Sequence, residues 1–149
     1  MLHYQETYAS LVPLDLLLEA DPDEANIESY LRDAWCFAAT QGTEIIGACI
    51  VTAHSSTLAE IVNIAVYPQH QQNGVGSKLL SVTLNKLSGK GIKRVELGTG
   101  TFGHQLAFYQ RAGFRVDKVE KNYFIDNYPQ PIFEEGIQHK DRLVLSLEF

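Results

Sequence analysis

The stretch Gln71-Gln72-Asn73-Gly74-Val75-Gly76 decides how the rest of this 149-residue chain is interpreted. Its two glycines leave the backbone without side chains, so that a ligand can approach it closely. Apolar residues at helical spacing follow directly, and the first N–H groups of a helix have no acceptors within the helix. The helix dipole adds a favourable potential for an anion at that end. The stretch therefore predicts a phosphate-binding loop, with a simple tight turn as the alternative.

Downstream of this loop, the sequence predicts a long helix, a strand-helix-strand succession and a last strand. The long helix shows one apolar face from Val75 to Leu87, and glycines at positions 89 and 91 end it. The later elements are a strand over Arg94–Leu97, a helix over Gln105–Ala112, a strand over Phe114–Ile125 and a terminal strand over Arg142–Phe149. The strand-helix-strand succession implies parallel pairing with a right-handed crossover.

Upstream of the loop, the pattern predicts two short helices and an antiparallel meander of three strands. The helices cover Leu14–Leu18 and Glu24–Arg32, and the strands cover Ala34–Ala39, Glu44–Ala53 and Leu58–Val66. The expected fold class is therefore α/β (α+β), with a mixed, mostly antiparallel central sheet flanked by helices.

Length and composition favour one soluble domain over residues 1–149. The 18 acidic and 12 basic residues give a net charge of −6, which disfavours nucleic acid and anionic membranes as partners. Cys36 and Cys49 lie in apolar runs without metal-ligand spacing, which predicts buried free thiols in a reducing compartment and no metal site. Met1–Tyr8 lacks the features of a signal peptide, and Ile45–Ala53 is about half the length of a membrane span. We therefore expect a cytoplasmic protein.

Three ordered pieces of sequence carry a family resemblance. The first is a loop of the form Gln/Arg-x-x-Gly-x-Gly/Ala, matched by Gln71, Gly74 and Gly76. The second is the strand before it, residues 60–68, with the sequence Glu-Ile-Val-Asn-Ile-Ala-Val-Tyr-Pro. The third is the motif Tyr-x-x-x-Gly-Phe within residues 108–114, Phe-Tyr-Gln-Arg-Ala-Gly-Phe. Together they resemble the GNAT superfamily of acyl-CoA N-acyltransferases, in which the loop binds the pyrophosphate of the cofactor. The tail at residues 127–137 resembles a bacterial subgroup of uncharacterised acetyltransferases.

The resemblance implies an acetyl-CoA-dependent N-acetyltransferase. Acetyl-CoA would be the co-substrate, and a primary amine of a small molecule or peptide would attack it directly. By resemblance, the cofactor-binding residues lie on the strand and loop described above, with a backbone oxyanion donor near Ala65 or Val66. They are Ile64, Ala65, Val66, Gln71, Gln72, Asn73, Gly74, Val75, Gly76 and Ser77.

Two side chains match the family's acid-base positions. Glu60 matches a position where some members carry a general-base glutamate, and a protonated amine needs such a base at neutral pH. The alternatives are a water chain or an exposed glutamate at the start of a strand. Tyr109 matches the tyrosine that protonates the departing thiolate, and its alternative role is that of a core aromatic residue.

Two rival functions remain open at this stage. The run from Gly98 to Gly103 fits Gly-x-Gly-x-x-Gly after a strand, with Asp117 downstream, as in a nucleotide site or an S-adenosylmethionine-dependent methyltransferase. Too few residues follow Gly103 for the remaining strand-helix pairs of such a domain, so glycines that let the strand turn are the favoured explanation. The non-enzymatic rival is a regulatory protein that binds acyl-CoA without turnover.

The segment from Asp126 to Asp141 is long for a loop without regular structure, and such loops often act as lids or binding segments. It carries Glu134, Glu135 and His139, which are interpreted first as solvated charges and second as a site for a cationic acceptor. His104 is interpreted as a surface histidine, with a helix cap or a cofactor contact as the alternatives. The terminal strand predicts a homodimer, through pairing or packing across a two-fold axis.

Overall fold

In the computed structural model, which describes residues 1–149, the chain divides into a first unit, Met1–Lys93 with Phe149, and a second unit, Arg94–Glu148. The strands of the first unit are β1 (Leu2–Thr7), β2 (Trp35–Gln41), β3 (Glu44–Ala53) and β4 (Leu58–Val66). Its helices are α1 (Leu14–Leu17), α2 (Glu24–Leu31) and α3 (Val75–Gly89), with 3-10 turns at Ala9–Leu11 and Pro68–His70.

The four strands of the first unit pair antiparallel in the order β1-β2-β3-β4. The bounds predicted for β3 and β4 are confirmed, and β1 adds a strand that the sequence pattern did not predict. Asn63 of β4 is buried and ties this strand to both short helices: its Nδ2 atom donates to the carbonyl of Leu17 and to the hydroxyl of Tyr30, at 3.0 Å each. Cys36 and Cys49 are buried free thiols, as predicted.

The second unit contains β5 (Arg94–Gly100), α4 (His104–Arg111), β6 (Arg115–Glu120), α5 (Tyr123–Asp126), the short strands β7 (Phe133–Glu134) and β8 (Ile137–Gln138), and β9 (Arg142–Glu148). Its sheet has the order β5-β9-β6, and β9 is antiparallel to both neighbours. The predicted pairing of the two strands that flank α4 is therefore wrong. They run in the same direction but lie on opposite sides of β9, which forms hydrogen bonds with both of them.

The position of β9 also bears on the predicted homodimer, in which this terminal strand was expected to pair with a second copy. Since β5 occupies one of its edges and β6 the other, β9 has no free edge with which to pair with a second copy. The prediction that β9 pairs across a two-fold axis is therefore wrong.

The predicted strand over Phe114–Ile125 is too long, because the chain turns after β6 ends at Glu120. Asn122 adopts a left-handed conformation (φ 61°), and its N–H donates to Oδ1 of Asp141 at 2.8 Å. Asparagine tolerates this conformation better than most residues, so that the apolar residues behind it start α5 instead of continuing the strand.

The segment from 126 to 141 contains more regular structure than predicted. It includes a small hairpin, β7–β8, whose turn residues Glu135 and Gly136 both have positive φ values (52° and 79°). This combination is typical of the tight turns that match strand twist.

The expected fold class, α/β (α+β) with mostly antiparallel strands and flanking helices, is confirmed. None of the helices is both long enough and apolar enough to cross a bilayer.

Candidate functional site

The loop between β4 and α3 is tied to the end of the strand and has two residues in the left-handed conformation. The Nε2 atom of Gln71 donates to the carbonyl oxygen of Val66 at 2.8 Å, which ties the loop back to the end of the strand. Gln72 and Gly74 both have positive φ values, 64° and 78°. A β-carbon built on Gly74 would meet no atom within 4 Å, so the space above this residue is open.

The amino end of α3 has unsatisfied donors. No side chain caps it, and the first hydrogen bond of the helix runs from the N–H of Lys78 to the carbonyl of Gly74 at 3.0 Å. The N–H groups of Val75, Gly76 and Ser77 therefore have no backbone acceptor. Donors in this arrangement, at the positive end of a 15-residue helix, suit a phosphate or pyrophosphate oxygen. The open turn at Gly74 and the N–H groups that follow it thus fit the pyrophosphate of a cofactor such as CoA.

The side chain of Val75 fixes this helix end in the first unit. It is buried in a cluster with Ala39 of β2 and Ile46 of β3, whereas the loop from Gln71 to Gly74 is exposed. The predicted cofactor residues of β4 lie directly before the loop, with Ile64, Ala65 and Val66 opposite residues 49, 48 and 47 of β3. The strand residues are therefore held by pairing with β3, and the end of the loop is held by the buried side chain of Val75.

Glu60, the predicted base, has a histidine partner. Its Oε1 atom lies 2.8 Å from Nε2 of His54, and the two side chains are 25% and 45% exposed, respectively. His54 follows β3 and Glu60 is the third residue of β4, so the tight turn between the strands brings them together. Sequence reasoning missed His54. The available signal was its position six residues before Glu60, across a turn of Ser and Thr residues.

Tyr109, the predicted acid, is a buried residue of α4. Its side chain is 6% exposed and meets the rings of Phe108 and Phe114 edge-on, with centroids 5.2 and 6.0 Å away. This packing agrees with a role as a core aromatic residue. The role of its hydroxyl as the acid that protonates the thiolate stays a prediction. His104 is the first residue of the same helix and is exposed.

The glycine run of β5 is explained by side chains of the same unit. A β-carbon on Gly98 would collide with the guanidinium group of Arg142, and one on Gly100 would collide with the imidazole of His139. At Gly103, a β-carbon would lie 2.8 Å from Oε2 of Glu134. Three side chains of the second unit thus lie against these glycines and account for them without a second nucleotide site.

His139 and Glu134 form a pair against this glycine run. The Nε2 atom of His139 lies 2.9 Å from Oε1 of Glu134, and its ring stacks on Phe102 with centroids 4.3 Å apart and planes 6° apart. His139 is buried, so it is not the solvated charge that the sequence first suggested, whereas Glu135 is exposed in the β7–β8 turn. The pair fastens the 126–141 segment to β5.

Comparison with known proteins agrees with this geometry. Residues 32–116 match the family model of the acetyltransferase (GNAT) domain. The chain is 37% identical to YvbK of Bacillus subtilis, an uncharacterised N-acetyltransferase. The alignment extends over 135 residues, which are 90% of this chain and 87% of that protein.

Two solved structures are similar over nearly the whole chain. A GNAT family acetyltransferase from Elizabethkingia anophelis, with acetyl-CoA bound, has a TM-score of 0.94 at 37% identity and covers 99% of this chain and 98% of its own. A Bacillus subtilis acetyltransferase in complex with CoA has a TM-score of 0.89 at 35% identity, covering 100% and 99%. By sequence, by fold and by the loop before α3, this chain belongs to the GNAT family of acetyltransferases.

Proposed function

We propose that residues 1–149 act as one acetyltransferase domain that transfers the acetyl group of acetyl-CoA to a primary amine by direct attack. The observation that carries this proposal is the uncapped amino end of α3 behind the Gln71–Gly76 loop, where three consecutive N–H groups have no backbone acceptor. Similar proteins were solved with acetyl-CoA or CoA bound, which supports the same ligand here.

In this proposal, the loop and the helix end bind the pyrophosphate through backbone N–H groups. The binding residues are Ile64, Ala65, Val66, Gln71, Gln72, Asn73, Gly74, Val75, Gly76 and Ser77. A backbone N–H near Ala65 or Val66 stabilises the negative charge that develops on the thioester oxygen.

Glu60 is proposed as the base. Alkyl amines of the lysine type have a pKa of about 10.4, so nearly all are protonated at neutral pH and cannot attack. The Glu60 carboxylate takes a proton from the amine, and the contact with His54 holds the carboxylate in one orientation. His54 is itself exposed enough to pass the proton on to solvent.

Tyr109 is proposed as the acid. A tyrosine hydroxyl, with an unperturbed pKa of about 10, is suited to protonate a thiolate of similar basicity. In the overall step, the amine nitrogen bonds to the acetyl carbon and the carbon–sulfur bond breaks. Glu60 takes one proton from the ammonium group before the attack, and the thiolate takes the tyrosine proton, so that free CoA departs as a thiol. The nitrogen then loses its remaining excess proton, which restores the Tyr109 hydroxyl and leaves a neutral amide.

The acceptor is proposed to be a cationic amine of a small molecule or peptide, since the chain carries a net charge of −6. The two free, buried thiols support work in a reducing compartment such as the cytoplasm. We also propose a homodimer, for which the second unit offers a specific surface described below.

A panel of amines, screened for release of the CoA thiol from acetyl-CoA, tests the function. At least one class of primary amine should increase thiol release above the rate without acceptor. A protein that binds acetyl-CoA in calorimetry but releases no thiol with any amine would instead be the regulatory acyl-CoA-binding alternative.

A further inference from the structure

Strand β6 is an edge strand with both faces uncovered. It lies at the end of the order β5-β9-β6, and five of its six residues are exposed. Val116 and Val119 are 48% and 53% exposed, although an antiparallel strand ordinarily buries one face. An unpaired edge strand is a template for pairing with another chain, and natural proteins usually blunt such edges with charged side chains and β-bulges. β6 carries both, so that only a partner with complementary charges and a matching bulge suits it.

The sequence of β6 is complementary to itself. It reads Arg115-Val116-Asp117-Lys118-Val119-Glu120. Aligned antiparallel with a second copy, it sets Arg115 opposite Glu120, Val116 opposite Val119, and Asp117 opposite Lys118. Each contact occurs twice because a two-fold interface is formed from the same patch on both subunits. Opposite charges and β-branched pairs are the contacts that stabilise neighbouring strands.

A β-bulge makes this alignment possible in one continuous sheet. Val116 lies opposite Leu145 of β9 and Lys118 lies opposite Val144, so Asp117 is the extra residue. Directly paired residues of two antiparallel strands must lie on the same face of a sheet. Without the bulge, Val116 and Val119 would be on opposite faces. With it, they face the same side as Leu145 and Leu143, their partners in β9.

Two of the four charged residues of β6 form ion pairs within the subunit. Asp117 accepts from Arg94 through Oδ2 at 2.9 Å, and Glu120 accepts from Arg142 through Oε1 at 2.7 Å. Each carboxylate therefore keeps a second oxygen. The two cations of β6, at positions 115 and 118, make no ion pair. In the alignment, each of these cations meets a carboxylate of the other copy.

We propose that β6 is the dimer interface of this protein, with a second copy of the chain as its partner. The two strands pair antiparallel about a two-fold axis at the Asp117 bulge, which extends the β5-β9-β6 sheet into the other subunit. One face of the junction carries the Val116–Val119 pairs, and the other carries the charge pairs.

Sedimentation equilibrium of the full chain across the micromolar range tests this interface without any enzyme assay, so its outcome is independent of the proposed acetyl transfer. The wild type should show a reversible monomer–dimer equilibrium. Lys118→Asp sets Asp117 and the new aspartate opposite each other twice, and should raise the dimer dissociation constant by roughly tenfold or more. Lys86→Asp, the same charge change on the exposed part of α3, should leave it unchanged.

A mixing experiment separates pairing from general charge effects. Asp117→Lys alone should also weaken the dimer, because it sets two lysines opposite each other. An equimolar mixture of Lys118→Asp and Asp117→Lys should form a heterodimer, because opposite charges face each other again. A monomeric wild type, or a Lys118→Asp variant that dimerises as tightly as the wild type, would overturn the proposal even if Asp117→Lys fails to fold.

Discussion

The Nε2 atom of His54 lies 2.8 Å from Oε1 of Glu60 across the turn that joins β3 and β4. The imidazole and the carboxylate are both partly exposed, and the strand that begins beside them leads directly into the loop before α3. A proton taken up by the carboxylate therefore has a second group within hydrogen-bond distance.

If Glu60 is the base, Glu60→Gln should reduce the rate of acetyl transfer most strongly near neutral pH. Part of the rate should return at high pH, where free amine becomes abundant without help from the protein. The pH dependence of kcat/KM for the best amine of the panel measures this effect. A loss of equal size at every pH would show that Glu60 positions the acceptor and does not take its proton.

Tyr109→Phe should leave acetyl-CoA binding intact and lower kcat by roughly 100-fold to 10,000-fold, the range of general acid-base catalysis. The substitution keeps the ring, and with it the contacts to Phe108 and Phe114, while it removes only the hydroxyl. Calorimetry and steady-state kinetics on the same preparation separate binding from turnover. An unchanged kcat would assign Tyr109 to the core.

Gly74→Val should weaken acetyl-CoA binding by about tenfold or more, since a β-branched residue strains this left-handed backbone and fills the open space above it. Gly42→Val is the matched control. Gly42 has a similar φ of 63° and equally open surroundings, but it lies in the β2–β3 turn. Calorimetric titration of both variants decides the assignment, which fails if the two lose the same affinity.

Gly100→Ala should lower the free energy of unfolding by about 1 to 3 kcal/mol, because the new methyl group meets the imidazole of His139 in a packed layer. Gly89→Ala, which adds a methyl group at the end of α3 with no atom nearby, should be neutral or slightly stabilising. Urea unfolding of the two variants gives the comparison. Equal stabilities would mean that His139 moves aside at little cost.

Both thiols should react slowly with a disulfide reagent in the native protein. Burial, and to a lesser extent the charge of Glu6, raises the pKa of Cys36 to about 11; burial also raises the pKa of Cys49 to about 12. Raised values keep both sulfurs protonated at pH 8, and only the thiolate attacks. Absorbance of the released thiol should rise quickly only after denaturant is added, whereas a fast native phase would show that one cysteine is accessible.

The sequence predicted the elements whose burial follows a simple period. The bounds of β3 and β4 were correct because β-branched and apolar residues end sharply at turns of small polar residues, and α3 was evident from its apolar face. β1 was missed because its sequence, Leu-His-Tyr-Gln-Glu-Thr, has too short an apolar alternation, at Leu2 and Tyr4 only. Pairing with β2 and packing of Tyr4 on the cluster around Val75 stabilise it as a strand.

Side-chain partnerships explain the rest of the differences. The turn and the unbonded N–H groups before α3 could be predicted because they depend on the backbone and on glycine spacing, whereas cofactor binding there stays a prediction. The contact of His54 with Glu60 depends on how one turn closes, and the glycine run of β5 has the same spacing whether a ligand or a side chain such as His139 fills it. Sequence patterns alone do not distinguish these cases.

The central position of β9 has a consequence for synthesis on the ribosome. The chain is made from its amino end, so β5 and β6 leave the exit tunnel before the strand that must lie between them. Until residues 142–148 have emerged, neither strand has its partner within the unit, and the valines of β6 face other nascent chains as well as water. The sheet of this unit therefore cannot close until residues 142–148 have emerged, so that the last strand to be synthesised controls when β5 and β6 are joined.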